Sequence, residues 1–356
     1  MPGVAGRSSF SRHESGIGLA MAHQRPVCGT SHRLEPSIRL VLLLALVAAA
    51  CSGGGHSTPA TTTSALAPLS GAELAALAGG DVVSAGEWHT CGVRHDGTVT
   101  CWGSNDFYFY DDDDDVYEWA FDGKLDAPAG QFLSVSAGSS HSCGLRTDQT
   151  ITCWGSNHAG ESDSPGGLFR SVSTLGGHTC GLRVDQTVAC WGWGGQGQTK
   201  APEDSFLSAS VGGFHTCGVR VDQTVACWGK REPGQPRAPE GSFLSVSAGG
   251  FHTCGVRTDH TVGCWGLEQG GVLKPPDGRF LSLSAGNNHT CGVRVDQTVA
   301  CWGWGEEGQT DAPDGRFVSV STGASHSCGV RVDGNVACWG RNAQGQADPP
   351  AGQFGP

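Results

Sequence analysis

Fourteen of the sixteen cysteines fall into seven pairs, each separated by ten positions: Cys91/Cys101, Cys143/Cys153, Cys180/Cys190, Cys217/Cys227, Cys254/Cys264, Cys291/Cys301 and Cys328/Cys338. Two residues before each first cysteine stands a histidine, at positions 89, 141, 178, 215, 252, 289 and 326. Such a set could form disulfides, bind zinc or exchange electrons. Redox exchange lacks its C-x-x-C spacing. Zinc lacks the short chelate loop of known sites, and seven equivalent centres in one chain would be odd. One disulfide per repeat is the favoured expectation, contributing about 2 to 3 kcal/mol each in the chain-entropy model. The histidines admit a metal ring or a purely structural role; recurrence in every repeat favours structure, so no metal or cofactor is expected.

The elements that hold these residues repeat with them. The pattern H-[TS]-C-G-[VL]-R-x-D-x-x-[VI]-x-C-W-G occurs seven times, the last six histidines being 37 residues apart and the first interval 52. Each unit has three strand-like runs and no helical period, as in F-R-S-V-S-T, H-T-C-G-L-R and T-V-A-C-W-G. A hairpin closing on Arg183 and Thr187 would set Cys180 opposite Cys190 and Leu182 opposite Val188. Thr179, Gly181, Ala189 and Trp191 then share the other face, so both faces are small or apolar and both need cover. Radial stacking supplies it: the expected fold is an all-β, seven-bladed β-propeller of short, three-stranded blades. Arg-x-Asp sets such as Arg183/Asp185 would organise the turns, and the C-W-G tryptophans would pack between blades.

The ends suggest closure. The first run of repeats two to seven opens with Phe132, Phe169, Phe206, Phe243, Phe280 or Phe317, whereas repeat one has Gly80 there. Phe354, one repeat beyond Phe317, could fill the vacant place.

The combination F-x-x-V-x-x-G-x-x-H, D-G-x-V and W-G with G-Q six residues on (Gly197-Gln198, Gly234-Gln235, Gly308-Gln309, Gly345-Gln346) resembles the regulator of chromosome condensation repeat family over residues 80–354. That resemblance implies a seven-bladed propeller. The short units are similar to the family's bacterial secreted members, the propeller-type β-lactamase inhibitor among them. Two departures stand out: the hairpin Gly survives only at Gly97 and Gly334, and the paired cysteines are added.

Residues 40–50 form an apolar run after Arg33 and Arg39 and before Cys51, a secretory signal too short to be a permanent span. We read 1–50 as the signal and Cys51 as a lipidated N-terminus; a simple secretory signal with an incidental cysteine is the competing reading. Residues 51–69 would be a flexible tether and 70–79 a short helix or linker, with the propeller at 80–356. Without 1–50 the chain has 17 basic and 32 acidic residues, a net charge near −15. No nucleic-acid footprint is present.

Repeat one carries fifteen extra residues within 105–122, holding all three tyrosines (Tyr108, Tyr110, Tyr117), with Phe107, Phe109, Trp119 and Phe121, and eight acidic residues. Aromatics beside dense negative charge suit a partner with a basic patch, so Phe107, Tyr108, Phe109, Tyr110, Asp111, Asp113, Asp115, Tyr117 and Trp119 are the candidate partner contacts. A solvated acidic loop and a weak calcium site at Asp111, Asp113 and Asp115 are the alternatives. No G-x-S-x-G, Walker loop or H-E-x-x-H occurs, so no catalytic residue is expected, although carboxylates from different blades could meet without a sequence signal.

The sequence thus points to an exported, membrane-anchored lipoprotein, periplasmic or at the cell surface: a monomeric, non-catalytic protein-binding propeller touching the membrane only through its lipid. The family resemblance implies as an alternative a guanine-nucleotide-exchange regulator. Trp193 and Trp304 suggest a glycan-binding or glycan-cleaving one, and a structural envelope repeat without a specific ligand is the plainest reading.

Overall fold

The structure is a computed structural model that describes residues 81–111, 116–230 and 238–355. The signal, Cys51, the tether and the short helix lie outside these residues. Blade one is β1 (Val83–Ala85), β2 (His89–Val93) and β3 (Val99–Gly103). A separate ribbon follows, β4 (Asp106–Asp111) and β5 (Val116–Phe121). Blade two is β6 (Phe132–Ala137), β7 (His141–Arg146) and β8 (Ile151–Gly155), and five more sheets repeat it, their first strands starting at Phe169, Phe206, Phe243, Phe280 and Phe317. All seven sheets are three-stranded antiparallel meanders, and the protein is an all-β, seven-bladed propeller.

The hairpin register follows from alternation. Cys180 pairs with Cys190 and Leu182 with Val188, as expected. All seven cysteine pairs are disulfides: Cys91–Cys101, Cys143–Cys153, Cys180–Cys190, Cys217–Cys227, Cys254–Cys264, Cys291–Cys301 and Cys328–Cys338, with Cα atoms 4.0–4.1 Å apart. No thiolate of these pairs is left for zinc. The ten-residue spacing makes the two halves of a bridge look equivalent, and the structure distinguishes them. The first cysteine lies on the central strand and is fully buried. Its partner, Cys101, Cys153, Cys190, Cys227, Cys264, Cys301 or Cys338, lies on the third strand and is only half-buried, because that strand has a neighbour on one edge alone.

At the turn, Asp185 Oδ1 accepts from the Thr187 amide at 3.0 Å and its hydroxyl at 2.7 Å, an Asx turn. This clamp lets Gln186 hold φ +73°, as Gln149, Gln223, His260 and Gln297 do in their blades, where Gly97 and Gly334 do so freely. The left-handed conformation costs a non-glycine residue about 1 kcal/mol, which the turn's hydrogen bonds offset.

Each seam joins unlike faces. The disulfide face of blade two, with Cys143, Leu145 and Ile151, packs on Phe169, Val172 and Trp191 of blade three. Burying each such phenylalanine contributes about 1.5 to 3 kcal/mol. A polar ring reinforces the seams: the hydroxyls of Ser84, Ser136, Ser173, Ser210, Ser247, Ser284 and Ser321 each accept a backbone amide of the neighbouring blade's first strand. The set closes on itself, since Ser321 of blade seven receives Ala85 of blade one at 3.0 Å.

Phe354 occupies the place that repeat one leaves open. It bridges to Arg94 as Phe206 does to Arg220, its ring lies under the Arg94 guanidinium at 5.2 Å, and it meets Trp102 at 5.7 Å. With Val83, Trp102, Cys328 and Val330 it forms the core of the seam between blades seven and one. Phe354→Ala is therefore expected to lower the unfolding free energy in urea by about 3 to 5 kcal/mol; a loss under about 1 kcal/mol would mean that the tail is not part of the ring.

Candidate functional site

The cysteines, whose types and spacing suggested chemistry, form no reactive site. Cys101, Cys153, Cys190, Cys227, Cys264, Cys301 and Cys338 each pack at the margin of a seam core, against aliphatic and aromatic side chains. The bridges therefore hold the scaffold together.

The seven histidines belong to the scaffold as well. Each Nε2 lies 2.7–2.9 Å from a serine or threonine hydroxyl of the next blade, from His89 and Ser142 around to His326 and Thr90. The hydroxyls of Thr90, Thr179, Thr216 and Ser327 donate to backbone carbonyls, so at those contacts the imidazole must donate through Nε2–H. Burial drives the ring pKa values down, to about 4 at His141, His215 and His326, to about 3 at His178, His252 and His289, and well below the ordinary value at His89. Among the described residues no group of three or more His, Cys, Asp or Glu is placed to hold a metal ion.

The C-W-G tryptophans also bind blade to blade. Trp154, Trp191, Trp302, Trp339 and Trp102 donate Nε1–H at 2.9–3.0 Å to the carbonyls of Lys124, Glu161, Val272, Gln309 and Gln346 in adjoining connections. These acceptors sit at the position of the G-Q glutamine, seven residues after each blade's own tryptophan once the insertion is discounted.

The insertion is an antiparallel ribbon, not a loop. β4 and β5 pair from Asp106–Phe121 to Asp111–Val116, with Phe107 opposite Ala120 and Phe109 opposite Glu118. Tyr108 faces Trp119 and Tyr110 faces Tyr117, so these four positions share one side of the ribbon. Asp113 and Asp115 lie outside the described residues. The ladder reaches Asp111 directly, whereas an EF-hand loop is flanked by helices, so the calcium reading finds no support in the backbone. At the base, Phe121 is 83% exposed.

Lys124 anchors this ribbon, and sequence reasoning missed it. Its side chain is fully buried at the G-Q position, where Gln198, Gln309 and Gln346 are also buried. Nζ donates to the Asp106 carbonyl at 2.6 Å and pairs with Asp122 at 2.8 Å, tying both ends of the insertion together. Burial raises the Asp122 carboxyl, against the pull of Lys124. A lysine where the other repeats carry Gln, Glu or Val was the available signal.

A second feature gathers residues the repeats do not share. In every blade the second residue after the C-W-G tryptophan donates its amide to the carbonyl just before the histidine, from Ser104–Trp88 through Arg341–Ser325, at 2.8–3.0 Å. This fixed backbone pair presents two variable side chains per blade on one end of the ring. Trp193, 37% exposed, meets Phe214 edge-on at 5.9 Å, and Phe214 stacks on Phe251 at 5.3 Å. Turns of five consecutive blades, 139–140 through 287–288, line one cavity of about 550 Å³ with these aromatics; because equivalent turns of a closed ring meet there, it lies at the axial mouth. Trp304 does not line it. The signal for Trp88, Phe214, Phe251 and Asn288 was variation just outside an otherwise repeated pattern.

The Regulator of chromosome condensation (RCC1) repeat model matches residues 82–108, 132–161, 243–271, 280–309 and 317–346. The match falls on five of the seven blades. The other two share their disulfide, histidine and tryptophan. Among solved structures, the ectodomain of the Physcomitrella patens receptor kinase CR4 is similar at 25% identity and TM-score 0.60, over 73% of this chain and 72% of that one. The CRINKLY WD40 ectodomain of the Arabidopsis thaliana receptor kinase ACR4 is similar at 26% and 0.58, over 73% and 95%. Prp20p from Saccharomyces cerevisiae, described with its binding to Gsp1p and histones, shares the fold at 15% and 0.54, over 63% and 75%. No curated protein sequence matches this chain significantly.

The buried histidines set a pH dependence. Their folded pKa values lie below the unfolded value near 6.5, so the unfolded chain takes up protons that the folded ring excludes, and stability falls as pH falls from about 6.5 toward 4. Each histidine contributes about 1.4 kcal/mol per pH unit inside that window. Urea unfolding between pH 7.5 and 5 is expected to show a proton uptake approaching seven; a flat profile would contradict the neutral ring.

Proposed function

We propose that this RCC1-repeat propeller is an exported, lipid-anchored, non-catalytic protein-binding module of the cell envelope, with the blade-one ribbon as its principal contact. The observation that carries this reading is the ribbon itself, an extra sheet outside the seven blades, fastened by a buried ion pair. A fastened β-ribbon loses little conformational entropy on docking, and the Tyr and Trp positions along it are those enriched at binding hot spots. The acidic run speeds encounter with a basic surface.

The disulfides support this compartment. Seven of them belong to an oxidising environment, and the apolar run before Cys51 supplies the export route. Among the described residues no helix is long and apolar enough to cross a membrane; a single lipid with a tether would hold the propeller near the surface. Protein partners also suit its structural neighbours, since Prp20p is described with its binding to Gsp1p and histones. The nucleotide-exchange alternative fits the disulfides poorly, because small GTPases work in a reducing cytosol.

The test is a pull-down from envelope and culture extract with the oxidised mature chain. Removing residues 106–120 leaves W-G-S-N-F-D-G-K, the spacing of the other repeats, and Lys124→Gln restores the residue that four of those six carry. A protein retained by the intact chain and lost by this variant supports the reading. Equal retention removes the ribbon from the contact, and capture by neither form removes protein binding.

A further inference from the structure

The cavity at the axial mouth stands apart from the ribbon's own sheet and is built differently. Its volume of about 550 Å³ falls within the roughly 300–1,000 Å³ range of small-ligand sites. One side is the aromatic run Trp193, Phe214 and Phe251, whose first member is open to solvent. Ser139, Ser140, Asn287 and Asn288 add hydroxyl and amide groups, and the asparagine side chains make no hydrogen bond among the described residues.

Charge is scarce in the lining, where the ionisable groups are His141, His158 and Glu161. His141 is neutral, its pKa lowered to about 4 by burial, and is bonded to Thr179. Burial works to raise the Glu161 carboxyl, but the Ser156 hydroxyl and backbone amides hold it below the usual range. Both its oxygens are engaged, one by Ser156 Oγ and one by the Ala159 amide, each at 2.7 Å.

An apolar aromatic wall facing uncharged donors and acceptors matches a ligand with C–H faces and hydroxyl edges. Aromatic rings pack on the C–H face, and the amides and hydroxyls bond the edge. We infer that the axial mouth binds a neutral carbohydrate, the end of an oligosaccharide chain, with Trp193 as its stacking platform. Binding without cleavage follows from the same inventory: glycoside hydrolysis ordinarily uses two carboxyl groups, and the described lining holds one, already engaged.

The test is calorimetric titration of the oxidised mature chain with neutral cello-, malto-, xylo-, manno- and chito-oligosaccharides. At least one series is expected to bind with a Kd below about 1 mM. Trp193→Ala, a change at an exposed side chain, is expected to weaken that affinity roughly tenfold or more with the thermal midpoint unchanged. Trp304→Ala, outside the lining, and removal of residues 106–120 are both expected to leave it intact, which separates this site from the ribbon. Failure of every series at millimolar concentration would overturn the inference, as would a bound sugar indifferent to Trp193→Ala or a protein partner displaced by that substitution in place of a sugar.

Discussion

A three-stranded blade with two apolar faces cannot stand alone in water, and the rest of this structure depends on that constraint. Each blade must be covered twice, so the array must close, and every seam must join the same two unlike faces. On one side lie a disulfide and an aliphatic pair; on the other lie a phenylalanine and a tryptophan. Between them run a histidine–hydroxyl bond and a serine–amide bond, both repeated around the ring. A buried polar group without a partner is costly, so these bonds fix which blade meets which, and at what register. The tail closes the circle because Phe354 is the phenylalanine that the first repeat lacks.

Scaffold and presentation are therefore separated. Residues repeated seven times point into the seams or organise turns, which explains why the reactive-looking sets, cysteine, histidine and Arg-x-Asp, are structural. What the repeats leave free is one end of the ring, where a fixed hydrogen bond per blade carries two variable side chains. The ribbon enters through the blade-one connection equivalent to the one that carries Ser156 and Glu161 in blade two. Ribbon and mouth thus arise from the same class of connection, and both are variations on a rigid frame, the setting in which loop changes alter function at little cost to stability.

The frame was legible in the sequence because its physics is local. Strand alternation and a ten-residue spacing set Cys180 against Cys190, and the repeat register alone placed Phe354 in blade one. Glutamine at the left-handed turn position looked like a loss of the family's glycine; the neighbouring Asx turn supplies the reason it is tolerated. The site was less legible. The insertion reads as an acidic loop because its five consecutive aspartates dominate composition, whereas the alternating aromatics on either side pair as strands. Lys124 shows no local pattern, since its role depends on chain ends eighteen residues apart meeting. Trp193, Phe214 and Phe251 belong to three successive blades, and only the stacking of those blades brings them together.

Closure of the ring is the claim on which the seams, the histidine bonds and the axial mouth all rest. Hydrogen–deuterium exchange of the oxidised protein, read by mass spectrometry, tests it most directly at the junction of blades seven and one. The amides of His89–Val93, of Phe354, bonded to Gly334, and of Gly355, bonded to Val93, are predicted to be as protected as those of His215–Arg220 in blade four. Rapid exchange through blade one and the tail, with protection elsewhere, would contradict a closed ring.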